Sequence, residues 1–373
     1  MSASKDKLRV GFIPLVDAAS LFIAVDKEFA AEQDLEVELI REVSWANIRE
    51  KLNAGIFDAA HMLTPMAIAS ALRVGQPIQT RLLAPLTLAI NGNAITLSHR
   101  LYDAIIDESG GKTAPLDTAK ALARVVRRRE KCNEEPLSFG MTFPFSSHNY
   151  QLRLWMAAGG IDPDEDVRLL VLPPPYMVES LESGQVDGFC VGAPWNSLAV
   201  DLGIGRILHL GSEIVHTLAE KVLAVRSDWA DSHHTILLRL MTAVMNGAEY
   251  LSQEENWPET ARLLARPGRV GVKEHLIMRA LSGILPAGFN GVVKSDRRYL
   301  VPATSLDARP DERQAKWIYE QMLHWRQISP DRDASKNARR VFATGLFDEA
   351  FPGLIREKQQ GEPLDGVGAF TTL

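Results

Sequence analysis

Cysteine is scarce. Two residues in 373, Cys132 and Cys190, give neither a disulfide framework nor a metal-ligand spacing. Cys132 falls in a polar loop, and Cys190 lies inside Gly188-Phe189-Cys190-Val191-Gly192, where it reads as a small core residue. A basic surplus is missing too. The net charge of −6 and a pI near 5.9 argue against direct nucleic-acid binding. The run Arg124 to Lys131 is the exception and reads as a solvated helix face. No apolar run is long enough to cross a membrane, and no basic segment with an apolar stretch precedes the first strand at Leu8, so a cytoplasmic protein without membrane contact is expected. Also absent are a Gly-rich phosphate cradle, a cysteine-rich catalytic motif and evident paired carboxylates. Those absences speak against an enzyme, and no cofactor is expected.

What is present is a soluble α/β pattern. Hydrophobic residues make up 46% and charged residues 24%, and the length suits roughly two domains. Leu8 to Pro14 reads as a strand, Ala19 to Glu32 as a helix and Leu35 to Ile40 as a strand, which is the opening of a parallel sheet. Ala84 to Ile90 reads as an apolar connection leading to the Asn91-Gly92 turn and a strand from Ala94 to Ser98. The segments Leu52 to Ala60 and Leu181 to Phe189 echo each other as helix end, glycine turn, aspartate and strand, which suggests two α/β lobes of similar design. The expected lobes are 8–98 plus 217–373, and 99–216.

Several residues stand out at the ends of these elements. Pro144 stops a strand, Ser146 and Ser147 are N-cap types, and Leu152, Trp155 and Met156 recur at helical spacing. His148 then falls in the first helical turn, where the helix dipole favours an anion; a capped helix with an exposed polar first turn is the plainer alternative. Ser44 can cap a helix beginning at Trp45, which places the indole at the carboxyl edge of the sheet or, equally, in the core. Asn93 follows the Asn91-Gly92 turn with an amide able to donate, or is a simple turn residue. His61 reads as a core or strand-end histidine. Lys221 starts a strand near the expected crossover, unless it is merely a solvated lysine.

Taken together, Ser44-Trp45, His61-Met62-Leu63-Thr64-Pro65-Met66, Asn91-Gly92-Asn93-Ala94-Ile95-Thr96, the His148 stretch, Pro173-Pro174-Pro175, Gly192-Ala193-Pro194-Trp195 and Lys221-Val222-Leu223 resemble the nitrate- and bicarbonate-binding proteins of ABC transporters. The chain looks most like the cytoplasmic nitrate/nitrite sensors of the NasS type. This resemblance implies a two-lobed, periplasmic-binding-protein-like (type II) fold with a ligand cleft between lobes. It also implies an RNA-binding antiterminator partner with an ANTAR domain. Solute binding within a nitrate ABC transporter is the alternative role. The nitrate ligands of the transport relatives fall by motif on Trp45, Asn93, His148 and Lys221. Asn93 stands where those relatives carry a glutamine, and Ala193 where they often carry a glutamate.

Among these relatives' ligands the four side chains favour nitrate or nitrite. Nitrate is a planar monoanion with acceptor oxygens and no proton to give. Trp45 and Lys221 are donors only, Asn93 and His148 can donate, and Lys221 supplies a compensating charge. Bicarbonate carries a hydroxyl and would prefer a carboxylate acceptor, which only Glu220, beside Lys221, could supply.

Overall fold

The computed structural model describes residues 5–72, 74, 80–288, 291–331 and 333–354. The polar start Met1 to Ser4 and residues 355–373 of the first expected lobe lie outside the described residues.

Near the N-terminus the alternation of apolar strand and helix builds a βαβ unit. Strand Asp6–Phe12 pairs in parallel with Leu35–Arg41 on one side and Ala59–Leu63 on the other. Ala219–Arg226 then runs antiparallel between Ala59–Leu63 and Leu82–Asn91. The sheet order is Leu300–Pro302, Leu82–Asn91, Ala219–Arg226, Ala59–Leu63, Asp6–Phe12, Leu35–Arg41. Leu82–Asn91 corrects the expected apolar connection: it is a ten-residue strand. Nearly all of it is buried, so the period-2 alternation that marks a half-exposed strand is absent.

A second sheet repeats the plan. Its order is Arg168–Val171, Ser138–Met141, Gly188–Gly192, Asn93–Ser98, Gly205–Leu210, with the first three parallel and Asn93–Ser98 antiparallel to both neighbours. The sequence echo has a direct structural counterpart. Gly55 and Gly184 both take positive φ, 72° and 75°, at the ends of their helices. Asp58 Oδ2 accepts from Arg9 N at 2.8 Å, and Asp187 Oδ2 accepts from Ser138 N at 3.0 Å. Each aspartate also donates its own N–H to the same residue's carbonyl, Asp58 to Arg9 and Asp187 to Ser138. Each thereby fixes the register of a central strand against its neighbour.

Two compact units follow, divided at Ile90/Asn91, Thr217/Leu218, Met278/Arg279 and Leu300/Val301. The first division comes earlier than the expected Ser98 because Asn93–Ser98 pairs with Gly188–Gly192 and Gly205–Leu210 in the second unit's sheet. Residues 279–300 also group with the second unit, where Ile207 N donates to Ala287 O and Lys294 binds Glu213.

In the first unit, helix His234–Ser252 packs its apolar face on helix Ala19–Asp26 and the strands beneath. The helices meet at Gly247, where an added Cβ would lie 2.4 Å from Ser20 O. In the second unit, Trp155 Nε1 donates to Thr118 Oγ1 at 3.1 Å, and that hydroxyl meets His209 Nε2 at 2.7 Å. Burial, aided by Lys294, holds the His209 pKa well below the usual histidine range. Among the described residues no helix is long and apolar enough to cross a membrane.

Two outcomes are expected. Gly247→Ala should force the helices apart and destabilise the protein by about 1–3 kcal/mol, read as a lowered thermal midpoint. His209 stays neutral when folded, whereas the unfolded chain takes up a proton as pH falls through about 6.5. The unfolded state therefore binds more protons there, and stability should fall with decreasing pH by up to about 1.4 kcal/mol per unit from this group. Thermal melts from neutral to mildly acidic pH should show that slope, and His209→Gln should lessen it.

Candidate functional site

In the first unit the candidate residues gather where strands of the sheet end. Ser44 caps helix Trp45–Asn53 by accepting from Asn47 N at 3.2 Å, which fixes Trp45 as its first residue. The indole is buried, and its ring lies 5.3 Å from that of His61. Lys221 Nζ sits 5.6 Å from the Trp45 ring centroid and is wholly enclosed, at 0% exposure. Two carboxylates hold it: Asp17 Oδ2 and Glu220 Oε1, each at 2.8 Å. Asp17 Oδ1 lies 2.9 Å from His61 Nε2. The Asp17 oxygens and His61 Nε2 are close to their partners but poorly aligned for hydrogen bonding.

The charges answer to those contacts. Burial alone would raise the Asp17 pKa, but Lys221 and His61 outweigh it and hold the carboxyl at about 2. Burial works against the Lys221 ammonium too, and Asp17 and Glu220 reverse that, leaving its pKa raised. For His61, burial prevails over Asp17, and its pKa is lowered. Among the described residues, neither Trp45 Nε1 nor His61 Nδ1 has a hydrogen-bond partner, although both are buried.

The second unit assembles the other two. Ser146 caps helix Ser147–Ala158, accepting from Asn149 N at 3.1 Å, and His148 follows in the first turn as the sequence predicts. The expected alternative of an exposed first turn does not hold, because Ser147 and His148 are fully buried. His148 Nδ1 meets Thr142 Oγ1 at 3.1 Å, which fixes the ring. Asn93 Nδ2 contacts Ser147 Oγ at 3.2 Å and Gln151 Oε1 at 3.1 Å.

Two expectations need correction. The Asn93 amide is not a free donor, since its nitrogen is engaged by Ser147 and Gln151, one helical turn along from the cap. Lys221 is neither solvated nor a lone compensating charge, since two carboxylates neutralise it. Sequence reasoning missed Asp17, Ser147 and Gln151 as partners. Asp17 left a signal, being the one charged residue between Val10 and Val25, which also makes it an unusual carboxylate to bury unpaired. Within each unit the structure brings together Trp45 with Lys221, and Asn93 with the helix that carries His148.

Known proteins similar to this chain include components of anion transporters. The nitrate import ATP-binding protein NrtC of Synechocystis sp. is 31% identical over 93% of this chain and 50% of its own length. A bicarbonate transport ATP-binding protein, CmpC of Synechococcus elongatus, is also 31% identical, over 93% of the chain and 49% of its own length. The chain thus spans about half the length of these curated relatives. The crystal structure of the periplasmic nitrate-binding protein NrtA from Synechocystis matches with a TM-score of 0.86 at 26% identity, covering 97% of this chain and 92% of that one. The alkanesulfonate-binding protein SsuA of Xanthomonas axonopodis shares the fold, with a TM-score of 0.61 at 17% identity, over 90% and 99% of the two chains. The architecture is therefore periplasmic-binding-protein-like. Residues 2–265 match the profile of the NMT1-like family, and the chain belongs to that family.

Proposed function

We propose that the chain binds nitrate or nitrite and does no chemistry on it. The observation that carries this reading is the Trp45 indole N–H: buried, without a hydrogen-bond partner among the described residues, and borne on a ring 5.6 Å from the Lys221 ammonium. Burying such a donor unpaired costs about 1–3 kcal/mol, and a small oxyanion accepting from it removes that cost. Similarity to NrtA supports nitrate as the anion. Trp45 and Lys221 are assigned to the anion on this geometry, and His148 and Asn93 by the motif resemblance alone.

On this reading the chain is a cytoplasmic sensor. The anion-free form holds an ANTAR-domain antiterminator, and nitrate or nitrite releases it by favouring the form that binds the anion more tightly. Support for a regulator comes from the motif resemblance to NasS-type sensors. A second reading, solute binding for a nitrate transporter, draws on the similarity to NrtC and NrtA.

Calorimetric titration with nitrate, nitrite and bicarbonate should give binding for the first two. Trp45→Phe, which keeps a ring over Lys221 and loses the N–H, and His148→Ala should each weaken nitrate by about tenfold or more. Equal affinities in wild type and both variants would remove the proposed site. In a pull-down, the antiterminator should leave the chain when nitrate or nitrite is added; a complex indifferent to both anions would favour the transport reading.

A further inference from the structure

The first unit's cluster has a charge problem. One ammonium, Lys221, faces two carboxylates, Asp17 and Glu220, and all three are enclosed at 4% exposure or less. With a neutral imidazole beside them these four side chains sum to a formal charge of −1. A second negative charge would raise the cost of burial steeply, because charges in an enclosed site are screened far less than in water. Trp45 adds only a neutral donor.

We propose that a monoanion arriving at this cluster brings one proton with it, and that His61 holds the proton against Asp17. This inference rests on the anion-binding reading above and adds His61 and Asp17 to the site. Geometry singles out His61. Nε2 is 2.9 Å from Asp17 Oδ1, so an imidazolium would be paired at once. Nδ1 is buried without a partner among the described residues, and in the imidazolium it becomes a second donor. The charged groups acting on the ring are Asp17, on the turn after Asp6–Phe12, and Lys221 and Glu220 on Ala219–Arg226. The facing rim of helix Trp45–Asn53 supplies the indole.

The alternatives are poorer. Lys221 is already protonated, Asp17 is held at about 2, and Glu220 accepts from Lys221 at 2.8 Å. In the anion-free protein burial keeps His61 neutral, and an added negative charge reverses that preference. The sign follows directly. The bound state carries more protons, so affinity should rise as pH falls, by up to about tenfold per pH unit.

Calorimetry of nitrate binding to the wild-type chain, at one near-neutral pH in buffers of small and large ionisation heat, counts the protons taken up. Uptake approaching one per anion is expected, and His61→Gln, which keeps a polar group near Asp17, should abolish it. NMR titration of the His61 ring in the wild type, with and without nitrate, reads the same event without substitution and should show a pKa raised by the anion. Heat independent of the buffer, an unmoved His61 titration, or undiminished uptake in a folded His61→Gln would each overturn the proposal while leaving anion binding intact. A wild-type chain that binds no nitrate at all would overturn both.

Discussion

An ammonium closed off from water between two carboxylates is the constraint on which the first unit's interior depends. Lys221 is among the largest fully buried side chains, and it is tolerable there only because Asp17 and Glu220 are each within 2.8 Å. The three groups come from separate parts of the chain's course: the turn after the first strand, and two adjacent residues of the antiparallel strand that arrives some two hundred residues later. The Trp45 ring lies against the ammonium, and the His61 ring against that of Trp45.

Much of the architecture was legible. The βαβ start, the helix cap ahead of Trp45, the cap ahead of His148 and the doubled aspartate motif all rest on local chemistry that sequence displays directly. Leu82–Asn91 was misread because a strand buried on both faces shows no alternation. The division between units was misplaced by several residues for a related reason: Asn93–Ser98 takes its identity from the strands it pairs with, and pairing across a hundred residues leaves no local trace.

At the candidate site, residue types could be read from sequence and partners could not. Trp45, Asn93, His148 and Lys221 are all buried. Their company was hidden. Nothing adjacent to Lys221 in sequence announces Asp17, and Gln151 reveals its hold on Asn93 only once the helix and the strand are side by side. A side chain's capacity to donate can be read from its formula, whereas whether that donor is already engaged is a matter of tertiary structure.

The repeated sheet plan carries a consequence of its own. In the first unit Lys221 pairs with Leu63, the last residue of strand Ala59–Leu63; in the second, Asn93 pairs with Gly192, the last residue of Gly188–Gly192. Cation and amide thus occupy matching positions in two copies of one layout, and at both the sheet is held by main-chain groups that are indifferent to the side chain. A substitution at either position can therefore change the polarity at one strand end without breaking the main-chain pairing of the other sheet.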